Sequence, residues 1–167
     1  MKIRPLLFLP ALLFLTGCAT HRFPSPTPKW RTSLGQLQYV TPKRSVIGDT
    51  LVTRSGDQFQ LEFTAGPGVS LMKLQIDRDL GRAESAVVPI PWQGDTGHAP
   101  KQLRGWVALR DVFSQLDAQA HSDGHTTFKS KDKPAWKADA DTTGGRPVQL
   151  RVVFPKSREQ FVFHFAN

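Results

Sequence analysis

Apolar and polar positions alternate with period two over most of this chain. Phe59, Leu61 and Phe63 share one face of a stretch whose other face carries Gln58, Gln60 and Glu62, the pattern of a half-buried strand. The preceding stretch, 44–54, runs into the turn signal Ser55-Gly56-Asp57, so the two predict a β-hairpin. After the break at Ala65-Gly66-Pro67-Gly68, Met72, Leu74 and Ile76 alternate with Lys73, Gln75 and Asp77 in another strand. Over 83–92, Ala86, Val88, Ile90 and Trp92 share a face, and Pro89 and Pro91 restrict this stretch to an edge strand or the ragged end of one. The chain closes on a second hairpin. Val148, Leu150, Val152 and Phe154 alternate along one arm, Pro155-Lys156-Ser157-Arg158-Glu159 turns it, and Phe161, Phe163 and Phe165 alternate along the other, with His164 facing outward.

The period changes at Pro100. Leu103, Trp106, Leu109, Phe113 and Leu116 follow a three-to-four spacing and predict an amphipathic helix over 100–117, with its apolar stripe against the concave face of the sheet. Near the start of the domain, Trp30, Leu34 and Leu37 have helical spacing, whereas Leu37 and Tyr39 alternate with Gln36 and Gln38 as in a strand. The short helix is favoured. Residues 118–146 are polar and basic, with Phe128 and Trp136 as their only large apolar side chains. They predict a long, partly ordered excursion with one strand near 126–130.

A different apolar run opens the chain. Met1-Lys2-Ile3-Arg4 leads into a mainly leucine and phenylalanine stretch that ends at Leu15-Thr16-Gly17-Cys18. The run is too short to span a bilayer and has the layout of a secretory signal. Leu15 with Gly17 directly before the only cysteine resembles the lipobox of bacterial lipoproteins. The resemblance implies cleavage after residue 17 and acylation of Cys18, and Ala19 after it favours the outer membrane, on the periplasmic face. Losing Lys2 and Arg4 lowers the net charge from +8 to +6. The chain then divides into a signal peptide, 1–17, an anchor with a proline-rich tether, 18–29, and one domain, 30–167. Pro24, Pro26 and Pro28 make the tether extended and semi-rigid, a spacer between the domain and the membrane. With no second cysteine there is no disulfide framework.

Hairpin, further strands, helix and closing hairpin together describe an α+β fold, a curved antiparallel sheet forming an incomplete β-barrel with one amphipathic helix as lid. One helix over so many large side chains suggests an apolar hollow, lined by Phe59, Leu61, Phe63, Met72, Leu74, Ile76, Trp106, Phe113, Phe161 and Phe163. Three segments resemble the LolB family of outer-membrane lipoproteins, which receive other lipoproteins from the periplasmic carrier LolA. These are Trp30 with Leu34, Leu37 and Tyr39; the stretch from Phe59-Gln60-Leu61 to Gly66-Pro67-Gly68; and Trp136-Lys137-Ala138 with Pro147-Val148-Gln149-Leu150 and the closing hairpin. The resemblance implies acyl chains or other lipoproteins as ligands, and a periplasmic carrier as partner. The other expectation is a solid-cored interaction lipoprotein that docks on an envelope assembly.

Catalysis is not expected. The chain has no Gly-x-Ser-x-Gly elbow, and its one cysteine is the anchor. His121-Ser122-Asp123-Gly124-His125 reads as a solvated loop and not a metal site, because zinc needs three or four ligands. No cofactor is expected. In a lipoprotein the basic balance points to anionic headgroups or polysaccharide and not to nucleic acid. Lys129, Lys131, Lys133 and Lys137 around Trp136 form the densest basic patch. It reads first as a charged loop that keeps the chain soluble; the alternative is a surface-binding loop with Trp136 at the membrane interface and the lysines on phosphates.

Overall fold

The computed structural model describes residues 21–88, 91–119 and 123–166. The strands are β1 (Arg31–Thr41), β2 (Arg44–Ser55), β3 (Gln58–Ala65), β4 (Val69–Asp77), β5 (Leu80–Ser85) and β6 (Trp92–Asp95), then β7 (Gly124–Ser130), β8 (Trp136–Thr143), β9 (Arg146–Phe154) and β10 (Glu159–Phe165). Between β6 and β7 come two short 3₁₀ turns and one helix, α1 (Arg104–Gln119). The strands form a single ten-stranded sheet in the order β6-β5-β4-β3-β2-β1-β10-β9-β8-β7. Every pairing is antiparallel. The sheet is curved and does not close, and α1 lies in its concave side. This is the α+β incomplete barrel with a helical lid that the patterning predicts.

Two meanders, β1 to β6 and β7 to β10, are joined only where β1 pairs with β10. Gly35 stands at that seam opposite Phe165. A Cβ on Gly35 would lie 2.0 Å from the His164 carbonyl oxygen, so only glycine lets the two backbones approach. Gly35→Val is expected to split the seam and lower stability by more than the ~1–3 kcal/mol of ordinary overpacking. Thermal unfolding would show this as a lowered, broadened transition.

Three local expectations are corrected. The N-terminal segment is strand and not helix: β1 pairs along its whole length with β2 and, over Gly35–Val40, with β10. Leu37 and Tyr39 turn inward, while Leu34, whose spacing suggested a helix, is 56 % exposed on the outer face. Two partner strands satisfy far more backbone than an isolated turn of helix can. The stretch 83–92 is not one strand. β5 ends at Ser85, whose hydroxyl accepts from the Val88 amide and donates to the Leu71 carbonyl, and the chain bends there. Trp92 then begins the four-residue edge strand β6, while Pro89 and Ile90 lie outside the described residues. Finally, 118–146 is mostly ordered, because β7 and β8 form a hairpin that extends the sheet. β8 was hard to see because its inward positions are Trp136, Ala138, Ala140 and Thr142, a stripe too small to read as apolar alternation.

The tether is also placed differently. Residues 21–26 fold back over the convex face of β2 to β4. His21 pairs with Asp77 at 3.1 Å, the Gln60 amide donates to the Pro24 carbonyl at 2.6 Å, and the His21 and Phe23 rings meet edge to face. Prolines forbid strand pairing but leave their carbonyls free to accept, so an extended segment can lie on the sheet without joining it. This part of the tether is therefore not a free spacer.

Candidate functional site

The ten residues predicted to line a hollow converge under α1. Phe59, Leu61 and Phe63 come from β3, Met72, Leu74 and Ile76 from β4, Phe161 and Phe163 from β10, and Trp106 and Phe113 from α1. Each is at most 1 % exposed, so they form a packed core, with Phe59 also backing a surface pocket beside Arg54 and Asp117. The helix itself fills the concavity. Trp106 packs 4.8 Å from both the Tyr39 and Phe161 ring centres and 6.1 Å from Phe63. Phe113, two turns on, meets Phe163 at 5.2 Å and Phe59 at 5.7 Å. In this conformation the expected hollow is occupied by two aromatic side chains of the lid.

The C-terminal end of α1 is tied to the sheet by polar contacts that periodicity does not reveal, and a buried polar cluster of the sheet packs against its N-terminal end. At the C-terminal end, Arg54 Nε and Nη2 each donate to an Asp117 carboxylate oxygen at 2.7 Å, and Arg54 Nη1 donates to Ser33 Oγ at 2.9 Å. The Arg54 guanidinium also lies 5.0 Å over the Phe113 ring, and Arg31 reaches Asp117 at 3.0 Å. Burial alone would raise the Asp117 carboxyl. Hydrogen bonds and charge from Arg54, and then from Arg31, outweigh that and hold it below the usual carboxylate range.

At the N-terminal end, Tyr39 Oη donates to Glu159 Oε1 and Ser157 Oγ donates to Glu159 Oε2, both at 2.8 Å. A Cβ on Gly105 would come within 2.9 Å of Glu159 Oε2, so this carboxylate sits against the first turn of α1, where the helix dipole favours an anion. Burial, and after it the Glu159 charge and hydrogen bond, push the Tyr39 hydroxyl far above its ordinary value. Beside this pair, Trp106 Nε1 is buried without a hydrogen-bond partner.

The basic patch is reorganised. Trp136 is 3 % exposed and packs edge to face on Phe128, so it belongs to the core and does not stand at a membrane interface. Lys129 and Lys137 face each other across β7 and β8 on the solvent side, with Lys137 3.6 Å from Asp139. Lys131 and Lys133 instead reach the rim of a pocket at the N-terminal end of α1, shared with Lys101, Arg104 and Lys156. Lys101 and Arg104 are far in sequence from Lys156 and from the 129–137 patch, and only the fold groups them. Cys18 and His121 lie outside the described residues, while His125 pairs with Asp141 at 2.8 Å on the exposed face and His164 is exposed as expected. No model of a known protein family matches this chain, and no curated protein matches it.

Proposed function

We propose that the chain is a non-enzymatic, membrane-anchored lipoprotein of LolB-like type at the periplasmic face of the outer membrane. Its half-barrel receives acyl chains, free or carried on another lipoprotein, when α1 leaves the concave face. The lipobox resemblance at Leu15–Cys18 supports the anchor. The observation that carries the binding reading is that, among the described residues, a single amphipathic helix is the main cover of the apolar concavity, with Val87, Val88, Ala99 and Leu103 of the preceding segments beside it.

The energies are compatible with exchange. Lifting α1 exposes Trp106, Leu109, Val112, Phe113 and Leu116, at roughly 1.5–3 kcal/mol each, or about 10 kcal/mol together. A long alkyl chain laid in the same place contributes about 0.8 kcal/mol per methylene, a sum of the same order. No bond chemistry is involved.

The filled concavity favours a second reading, an interaction lipoprotein whose core stays closed and whose outer face docks on an envelope assembly. Uptake of a fluorescent fatty acid separates the two. The exchange reading expects saturable uptake by the wild-type chain and faster uptake by Arg54→Ala, which loosens the lid. A folded chain that takes up nothing in either form supports the closed core.

A further inference from the structure

At the N-terminal end of α1 a pocket of about 410 Å³ opens between three separate elements. Lys101 and Arg104 come from the start of the helix, Lys131 and Lys133 from the β7–β8 turn, and Lys156 from the β9–β10 turn. All are exposed, and among the described residues none of the five is ion-paired. Among the described residues the only carboxylate in the pocket wall is Glu159, and its oxygens are already engaged by Tyr39 and Ser157. The first turn of α1 carries no acidic residue of its own. Five cations facing one carboxylate repel one another, and that repulsion is relieved by a multivalent anion.

We propose that this pocket recognises a phosphate monoester. A carboxylate would balance one of these charges, whereas a phosphate brings nearly two and three acceptor oxygens. Arg104 is prepared for it: its Nε donates to the Ala99 carbonyl at 3.1 Å, which fixes the guanidinium and leaves its two terminal nitrogens to clamp oxygens. Pro134, Ala135 and the edge of Phe154 complete the wall, an apolar surface for the organic part of the ester. The volume suits a small organic molecule and exceeds what inorganic phosphate needs. Convergence on one concavity, and not along a stripe, distinguishes the site from a nucleic-acid track. The inference rests on these cations and not on the acyl-chain reading.

Calorimetric titration of the purified full-length chain with glycerol phosphate, short-chain phosphatidic acid and inorganic phosphate tests it. Saturable binding of the esters is expected. Arg104→Ala should weaken it about tenfold or more. Arg104→Lys should recover only part of the loss, because the charge returns without the fork. Lys156→Ala should weaken it severalfold, and Lys73→Ala, on the opposite face, should leave it unchanged. The substituted side chains are exposed, so circular dichroism should show an intact fold. Tighter binding of phosphatidic acid than of glycerol phosphate identifies a lipid as the source, and equal binding identifies a free ester. Inorganic phosphate binding as tightly as both overturns the ester assignment. Absence of saturable binding, or binding that Arg104→Ala and Lys156→Ala leave untouched, overturns the site.

Discussion

Trp106→Ala is expected to lower the unfolding free energy by about 3–5 kcal/mol, the range for emptying a large aromatic site in a packed core. Trp106 is fully buried and touches Tyr39, Phe63 and Phe161 on three different strands, so few neighbours can collapse into the space. Its indole nitrogen, however, is buried with no well-formed hydrogen bond, only the Tyr39 hydroxyl lying near it, and so carries part of the ~1–3 kcal/mol cost of an unpartnered buried donor. Trp106→Phe removes that cost along with part of the volume, and is expected to change stability by less than about 1.5 kcal/mol. Denaturant unfolding of the two variants checks the pair. A small effect of the alanine would mean that α1 does not anchor on this side chain.

Arg54→Ala should have the second large effect, a loss of about 3 kcal/mol, because it leaves Asp117 partly buried with only Arg31 beside it. The loss has a pH signature. The Asp117 carboxyl is held low in the folded chain, so its contribution is fully present above the ordinary carboxylate value near pH ~4 and disappears as pH falls through the depressed folded value. Wild-type stability should therefore fall in acid more steeply than that of Arg54→Ala, and the two curves should converge at low pH. Parallel curves would show that the latch contributes nothing. Tyr39 acts at the other extreme. Its raised value favours the neutral hydroxyl in the folded chain, so its contribution holds below pH ~10 and is lost as the solution becomes more alkaline.

Periodicity reveals the fold wherever a strand or helix buries large side chains at its natural period. Phe59-Leu61-Phe63, Met72-Leu74-Ile76, the α1 stripe and the final hairpin all sit where alternation or three-to-four spacing put them. It failed where burial is done by small or mixed residues. The inward face of β8 is Trp136 followed by two alanines and a threonine. β1 carries only Leu37 and Tyr39 inward, and its Gly35, which sequence alone could not explain, marks the seam with β10.

The expected hollow failed for a different reason. Periodicity counts which side chains face inward but not how much volume the lid brings, and Trp106 and Phe113 bring enough to fill it. Arg54, Asp117 and Glu159 were not singled out because each gains its role from a partner at least 63 residues away. The basic pocket was half visible. Lys131 and Lys133 stood in a recognisable patch, but Lys101, Arg104 and Lys156 join them only through the sheet.

The central claim is that α1 is a displaceable plug whose place an acyl chain can take. Amide hydrogen exchange across 104–119, with and without a saturating fatty acid, tests it most directly. The acid is expected to strip protection from the α1 amides while β3, β4 and β10 keep theirs. Unchanged protection of α1 in a chain that demonstrably binds the acid would place the ligand elsewhere and contradict the claim.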